Sequence, residues 1–336
     1  MAAEQQQQQQ QPILVVGAGE LGNAVLEALA SHPKRDSARH PLSVLLRPST
    51  IEAAGDTGKR AANERLRGLG ATLVPGDVVS DPVEDLAATF ARFHTVVVCA
   101  GMGMPAGTQL RIVRAALAAR VPRFLPWQWG IDYDAVGAGS AQDLFDEQLA
   151  VRDLLRSSGE GRDRDREPAP IDWTIVSVGL FMSFLFHAPF GVVDLPRRVV
   201  RALGSWDNGV TVTTPRDIGR VAAELVYVPG EAGTNDDTRR KVVYAGGDTV
   251  TYAKVAELVE QRFGVGGGQA FRRELWTLEE LRGRLAENPD DGMAKYQIVF
   301  GGGRGVAWDL EDTINRRRGL RMTSVEEYLR SMPDLG

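Results

Sequence analysis

Short apolar runs alternate with segments of helical periodicity along the first half of the chain. Each run is four to seven residues long, and most are followed by a segment whose apolar residues recur every three to four positions. Buried parallel strands have near-continuous apolar sequences, whereas amphipathic helices have the longer period. The predicted strands are Ile13–Val16, Leu42–Leu46, Ala71–Val74, Thr95–Cys99, Arg123–Pro126 and Ile171–Ser177. This alternation predicts an α/β fold with a Rossmann-type, doubly wound parallel sheet.

The second half of the chain has shorter apolar runs between its helical segments. Strands are predicted at Val199–Leu203, Val210–Thr213 and Lys241–Ala245, and helices at 215–226, 251–263 and 277–285. We therefore expect a Rossmann domain over residues 13–180. Residues 181–336 are expected to form a smaller C-terminal α+β region, with some elements returning to the Rossmann core.

Two segments lie outside this pattern. Residues 1–12 contain the tract Gln5–Gln11, which has no apolar side chain to bury and predicts a disordered tail. Residues 157–170 are charged, alternate in sign and end near two prolines. They are predicted to form an exposed loop.

A glycine-rich turn follows the first predicted strand. Gly17, Gly19 and Gly22 have the G-x-G-x-x-G spacing, and Glu20 and Leu21 fill the two positions before the last glycine. The first glycine permits a tight turn, the second lets a pyrophosphate approach the backbone, and the third allows close helix–strand packing. The following helix would direct its N-terminus at the phosphates. The turn therefore predicts a dinucleotide site, the alternative being a purely structural turn.

Basic residues near the second strand indicate which dinucleotide is bound. Arg47 directly follows that strand, where an acidic residue would favour NAD and an arginine accommodates a 2′-phosphate. Arg47 therefore favours NADPH, although a solvated arginine at a strand end is the alternative. Lys59 is expected to add positive charge nearby, and Asp77, after the third strand, is a further candidate cofactor residue.

Small residues follow the fourth strand, and aromatic residues follow the fifth. Ala100, Gly101 and Met102 leave room for a cofactor at the carboxyl edge of the sheet. Trp127 and Trp129 lie in the loop after the fifth strand. Together with Tyr133 in the same loop, they indicate a flat or aromatic substrate, the alternative being aromatic residues that pack the loop onto the core.

A second apolar segment follows the sixth strand. Phe181 and Phe184 belong to it and are candidate walls of a substrate pocket, with core packing as the alternative. His187 is the histidine of this segment and is interpreted as structural or as substrate-facing.

Composition and charge narrow the function classes. The formal net charge is −5, which gives no basic footprint for nucleic acid or an anionic membrane. The single cysteine, Cys99, excludes an intramolecular disulfide and a cysteine metal cluster, and is expected to be a buried small hydrophobe. No apolar run is long enough to span a bilayer, and no metal site is indicated. We expect a cytoplasmic protein that is a monomer or a homodimer.

The chain resembles the NmrA-like, isoflavone reductase-like branch of the atypical short-chain dehydrogenases, which includes phenylcoumaran benzylic ether reductase. The resemblance extends over residues 12–330, and the sequence from Phe124 to Asp134 is similar to that of the fungal subgroup of this family. It rests on Gly17–Gly22, Arg47, Arg123–Pro126 with Gly130, the helix around Phe145–Arg156, Trp173–Ser177 and Phe181. The resemblance implies an NADPH-dependent reductase fold with a smaller C-terminal substrate-binding region over residues 181–336, and it implies that Phe181 packs near the nicotinamide. We expect the nicotinamide to lie along Ala100 to Met102, Trp127 and Phe181.

The sequence departs from this family at one position that carries chemistry. The plant reductases have a catalytic lysine on the helix after the fifth-strand loop, and alignment of that helix puts Gln148 there. An amide cannot titrate near neutral pH, although it can orient a substrate. Tyr133 is therefore the first candidate proton donor and Asp132 the second, with Asp134 and Asp146 also considered.

These observations predict an NADPH-dependent oxidoreductase acting on a small aromatic or polyketide-like metabolite of secondary metabolism. Hydride transfer depends mainly on the positions of cofactor and substrate. The missing lysine leaves two alternatives. One is an NmrA-like regulator that senses the dinucleotide without turnover, and the other is a non-redox isomerase or dehydratase in the same pocket.

Overall fold

The first strand is buried along its whole length and has a partner strand on each side. The computed structural model describes residues 10–159, 171–230, 234, 237–264 and 270–334. Most of the glutamine tract and the greater part of the charged insertion lie outside the described residues. The strands are β1 Ile13–Val16, β2 Leu42–Leu46, β3 Ala71–Pro75, β4 Thr95–Val98, β5 Arg123–Leu125, β6 Asp172–Ser177, β7 Leu180–Phe181, β8 Val193–Asp194, β9 Val199–Leu203, β10 Gly209–Thr213, β11 Lys241–Tyr244, β12 Asp248–Thr251 and β13 Arg272–Trp276.

The helices lie between and after these strands. They are α1 Glu20–Ser31, α2 Pro48–Glu52, α3 Thr57–Gly68, α4 Val83–Phe90, α5 Thr108–Ala118, α6 Tyr133–Val136, α7 Asp143–Ser157, α8 Met182–Leu185, α9 Pro215–Tyr227, α10 Tyr252–Phe263, α11 Leu278–Glu287, α12 Gly292–Gly301, α13 Ile314–Arg317 and α14 Val325–Ser331. A 3₁₀ turn covers Leu310–Asp312. None of the helices described is both long and apolar enough to cross a membrane.

The chain forms two compact units, each assembled from separate segments. Unit 1 comprises residues 1–128, 150–176 and 218–243, and unit 2 comprises 129–149, 177–217 and 244–336.

Unit 1 contains the parallel sheet. Its strand order is β11-β6-β5-β4-β1-β2-β3 within the described residues, and β1 to β6 pair in parallel. β1 lies between β2 and β4, with Val15 in register with Val44 on one side and Val97 on the other. The chain order reverses at β1 and β4, so a crevice forms beyond their carboxyl ends.

The core of unit 1 explains why these strands are apolar throughout. Helices α4 and α5 bury Leu86, Phe90 and Ile112 against the sheet, in one cluster with Val96 and Phe124. Strands covered by helices on both faces bury every side chain, as β1, β2, β4 and β5 do.

Unit 2 is built on two small sheets in its described part. One has the order β12-β10-β7 and the other β13-β9-β8. Phe190, Phe300 and Tyr252 are fully or almost fully buried in an apolar cluster that these sheets share with α10, α12 and α14.

The predicted fold class is confirmed, and most predicted strands agree with the structure to within one or two residues. Other elements were not predicted. Helix α6 occupies what was expected to be loop, because the Asp132 side chain accepts the backbone N–H of Ala135 and caps a single turn. Strands β12 and β13 are short and partly exposed, so their apolar pattern is weak. Cys99 is buried, as expected, and burial raises the pKa of its thiol.

Candidate active site

A cleft of about 590 Å³ opens at the carboxyl ends of β1, β2 and β4, inside unit 1. Its lining combines backbone of the glycine-rich turn with residues that follow these strands and β3. The predicted cofactor residues in the lining are Gly17, Arg47, Asp77, Ala100 and Met102. The sequence had placed these five residues in one site, and the fold brings them to one cleft.

The three glycines of the turn meet different constraints. Gly17 has φ +89°, and a Cβ there would lie 2.7 Å from Cβ of Ala100. A Cβ on Gly22 would lie 2.1 Å from the carbonyl oxygen of Gly17, so helix α1 can pack only with glycine at that position. Gly19 differs from both, because a Cβ there meets no atom within 4 Å. The fold itself requires Gly17 and Gly22, whereas open space adjoins Gly19.

The N-terminus of α1 follows this turn. Gly19 is the N-cap residue and has no side chain to cap the first turn. Asn23 holds the turn from within the helix, since its Nδ2 donates to the carbonyl oxygens of Ala18 at 2.9 Å and Gly19 at 3.0 Å. A 12-residue helix with an uncapped N-terminus presents N–H groups and a positive dipole end to an anion.

Arg47 lies at the edge of the cleft and is exposed. It is the N-cap residue of α2, whose first residue is Pro48. The buried Asn63 fixes this short helix to α3, because its Nδ2 donates to the carbonyl oxygens of Thr50 at 2.9 Å and Ile51 at 3.2 Å. These hydrogen bonds hold the backbone that carries the Arg47 guanidinium.

The segment after β4 forms another side of the cleft. Gly101 is buried beneath Trp127, and a Cβ there would lie 2.0 Å from the indole ring. Met102 is 61 % exposed, a high value for a large apolar side chain. Gln109 holds this segment through a 3.1 Å hydrogen bond from its Nε2 to the carbonyl oxygen of Ala100.

Other predicted cofactor residues lie near the cleft in sequence but do not line it. Leu21 is buried in the core, and Glu20 is exposed in the first turn of α1. Lys59 is exposed and forms an ion pair with Asp56, N to O 3.3 Å. That pair and a hydrogen bond from the Lys59 backbone N–H hold the pKa of the Asp56 carboxyl below its usual value, the backbone bond having the larger effect.

Two aromatic residues predicted to contact substrate are buried in unit 2. Trp129 and Tyr133 are 6 % and 5 % exposed. The Tyr133 ring packs against Phe145 with 5.1 Å between centroids. Its hydroxyl lies so close to Gly130 that a Cβ there would be 2.4 Å from the oxygen. Both side chains therefore contribute to the packing of unit 2.

The second apolar segment is more accessible than this pair. Phe181, in β7, and Phe184, in α8, are partly buried, and His187 is exposed. The Phe184 ring contacts the rings of His187, Phe190 and Tyr296, with centroid distances of 5.2, 5.2 and 6.3 Å.

The polar candidates differ in environment. Gln148 is completely buried on α7. Asp132 is partly exposed, and its Oδ2 accepts a 2.8 Å hydrogen bond from the Tyr244 hydroxyl. Asp132 and Tyr133 are neighbours in sequence, but the carboxylate borders a cavity whereas the phenol is packed in the core.

Several residues of these regions were not singled out from the sequence. Asn23, Thr50 and Asn63 line the cleft, although nothing in their local sequence marks them. Tyr244 is 112 positions away from its partner Asp132. Arg152 is fully buried, and its Nε donates to Oε1 of Gln128 at 2.9 Å. A charged residue on the apolar face of a helix is the signal that would have identified Arg152 as buried and paired.

The geometry defines a Rossmann-type α/β protein, and comparisons with known proteins identify its family. The model of the NmrA-like family matches residues 9–329. An NmrA-like family domain-containing oxidoreductase of Gibberella moniliformis is 49 % identical over 320 residues, 95 % of this chain and 97 % of that protein. The chain belongs to the NmrA-like family.

Plant reductases are more distant relatives. A phenylcoumaran benzylic ether reductase of Betula pendula is 25 % identical over 331 residues, 94 % of this chain and 96 % of that protein. Among solved structures, the binary complex of leucoanthocyanidin reductase and NADPH from Vitis vinifera has a TM-score of 0.72 and 20 % identity. The match covers 95 % of this chain and 98 % of that one, and the two proteins share the fold.

Proposed function

We propose that the protein is an NADPH-dependent oxidoreductase that reduces a small aromatic or polyketide-like metabolite. The observation that carries the proposal is the cleft of unit 1, which is lined by Gly17 and Ala18 of the glycine-rich turn and by Arg47. Gly19, the next residue of the turn, is exposed and adjoins open space. A glycine that the fold does not itself require, at the uncapped N-terminus of a helix, fits a pyrophosphate approaching the backbone. The NADPH complex of a structural neighbour supports the same cofactor, and the related oxidoreductase supports the class of reaction.

Residues of the cleft have distinct proposed roles. Arg47 pairs with the 2′-phosphate, since a guanidinium can form a bidentate, charge-assisted bond to phosphate. Backbone N–H groups at the start of α1 bind the pyrophosphate, and Ala100 leaves room for the nicotinamide half. When bound, NADPH supplies a hydride.

Proton delivery is assigned to the loop after β5. Tyr133 is the first candidate from the sequence because a phenol is a donor at neutral pH, and Asp132 is the second. Burial of the Tyr133 ring in the core weighs against it, whereas Asp132 is partly exposed. Phe181, Phe184 and His187 remain the proposed substrate contacts of unit 2. Of these three, His187 is exposed and the two phenylalanines are partly buried.

The test of the proposal is single-turnover oxidation of NADPH with a panel of quinones, enones and aromatic ketones. Turnover by the parent establishes the reductase. Tyr133→Phe or Asp132→Asn is then expected to slow the reaction by about 10²–10⁴-fold at unchanged NADPH affinity. Asp153→Asn, which changes an exposed aspartate on α7, serves as the control.

A sensor without turnover is the second candidate. The observation that favours it is Gln148, a completely buried amide at the position of the family's lysine. Tight NADPH binding with no oxidation by any member of the panel would support the sensor and contradict the reductase. A non-redox isomerase or dehydratase would instead convert its substrate without consuming NADPH.

A further inference from the structure

Unit 2 contains a cavity of about 290 Å³ that shares no lining residue with the cleft of unit 1. We call it the carboxylate–aromatic cavity. Its principal lining residues are Asp132, Tyr244, Gly305, Trp308, Asp309 and Asp312. The proposed cofactor chemistry uses at most one of these residues, so the cavity calls for an explanation of its own.

The backbone of Trp308 is fixed by a closed ring of hydrogen bonds. Its N–H donates to Thr211 Oγ1 at 3.1 Å, and its carbonyl oxygen accepts the hydroxyl of Thr249 at 2.9 Å. The two threonine oxygens are 2.8 Å apart. Because the Thr249 proton is given to the carbonyl, Thr211 must donate to Thr249, which completes the ring. The backbone that carries the Trp308 indole is therefore held in place without a ligand.

Tyr244 contacts both Trp308 and Asp132. The rings of Tyr244 and Trp308 meet edge to face, with 5.2 Å between centroids and an interplanar angle of 65°. The Tyr244 hydroxyl donates to Oδ2 of Asp132 at 2.8 Å. One hydrogen bond thus orients both the phenol ring and the carboxylate.

A close backbone contact joins the two loops that carry these groups. The N–H of Asp132 donates to the carbonyl oxygen of Gly305 at 2.8 Å. Gly305 has φ +73°, and a Cβ there would lie 2.7 Å from the carbonyl oxygen of Asp132. Both the conformation and the approach require glycine, so the cavity keeps its shape only with this residue.

The charge of the lining has one sign. Asp309 and Asp312 are exposed and Asp132 is partly exposed, and the described lining residues include no lysine, arginine or histidine. Arg317 lies close by and donates to the backbone carbonyl oxygen of Asp312. Carboxylates oppose an anionic ligand, and the faces of indole and phenol rings attract cations. The aromatic and the acidic groups thus both favour a positively charged ligand.

We propose that the carboxylate–aromatic cavity binds a small organic cation with an ammonium or quaternary ammonium head. The cation lies against the rings of Trp308 and Tyr244, and Asp132, Asp309 and Asp312 neutralise its charge. The volume lies at the lower limit for ligand pockets, so the head group and a short chain fill it. The site shares only Asp132 with the residues proposed for the reductase, and its test needs no turnover.

Calorimetric titration with choline tests the proposal, and 3,3-dimethylbutan-1-ol is the matched probe because it has the same shape and no charge. We expect 1:1 binding of choline and at least about tenfold weaker binding of the alcohol. Rising salt should weaken choline binding, since the carboxylates are partly exposed. Equal affinities for the two probes, or no binding of choline at millimolar concentration, would overturn the proposal.

Substitutions of lining residues test whether choline binds in the carboxylate–aromatic cavity. Trp308→Leu should weaken choline binding at least about tenfold, whereas Trp308→Phe should retain part of it. Trp276→Leu is the control, because Trp276 packs against Arg284 elsewhere in unit 2. If Trp308→Leu does not fold, Asp309→Asn with Asp312→Asn replaces it, since both side chains are exposed. Unchanged choline affinity in the folded variants would contradict this site.

Discussion

The two units present their candidate functional residues in opposite ways. The cleft of unit 1 is lined in part by backbone of the glycine-rich turn, and both Arg47 in its lining and the neighbouring Gly19 are exposed. In unit 2, the aromatic residues first expected to contact substrate, Trp129 and Tyr133, are buried in the core. A site formed by backbone can be recognised from local sequence, because the spacing of its glycines is a local pattern. A site built from side chains depends on which of many similar residues the fold leaves exposed.

The largest expected effect comes from filling the open space beside Gly19. We expect Gly19→Val to fold normally and to lose about 100-fold or more in NADPH affinity, a loss of about 2.7 kcal/mol, because the side chain would occupy the approach of the pyrophosphate. Calorimetry measures the affinity, and thermal unfolding measures the stability. Retained affinity in a folded variant would mean that the turn is only structural.

A matched pair of glycine variants sharpens this contrast. Gly22→Ala should lower the free energy of unfolding itself, since its Cβ would overlap the carbonyl oxygen of Gly17. Gly283→Val, in α11 of unit 2, also meets open space but belongs to the other unit, so it should leave NADPH affinity unchanged. If all three variants behaved alike, the distinct roles assigned to the glycines would be wrong.

Arg47→Ala should have the next largest effect. Loss of one charge-assisted phosphate pair costs about 1.5–3 kcal/mol, so the preference for NADPH over NADH should fall by about 10–150-fold. Lys59→Ala is the control, because its ammonium is already paired with Asp56 at the surface and should matter little. Equal affinity of the parent for NADPH and NADH would contradict the assignment to Arg47.

These predictions follow what the sequence could and could not disclose. The strand pattern predicted β1 to β6 because each of these parallel strands has an almost continuous apolar run. The cleft was predicted where glycine and arginine follow strands directly. The contact of Tyr244 with Asp132 was not predictable, because it joins residues 112 positions apart and neither has a local signature. The burial of Tyr133 was not predictable either, since an aromatic residue in a loop is equally compatible with a ligand pocket and with the core.

A pair of tyrosines tests the two cores directly, with effects of about 1 kcal/mol. In unit 1, the Tyr227 hydroxyl donates to the carbonyl oxygen of Leu29 at 3.1 Å, and burial raises its pKa to about 12. In unit 2, the fully buried Tyr252 hydroxyl has no hydrogen-bond partner among the described residues. Tyr227→Phe should lose about 1 kcal/mol, whereas Tyr252→Phe should be neutral or stabilising by a similar amount. Urea unfolding measures both, and a clear loss in Tyr252→Phe would show that its hydroxyl is satisfied.

The smallest expected effect is a pH dependence that originates in unit 1. Burial first, and the nearby Arg123 guanidinium second, lower the pKa of His94 below its usual value of 6.5. Burial is also the main cause of the lowered pKa of His40. Because the unfolded chain takes up these protons more readily, the free energy of unfolding should fall as pH drops below 6.5, until the lowered pKa values are passed. Urea midpoints at pH 7.5 and 5.5 measure the slope, and His94→Asn should reduce it. An unchanged slope in His94→Asn would remove His94 as its source, and His40→Asn then tests the other histidine by the same measurement.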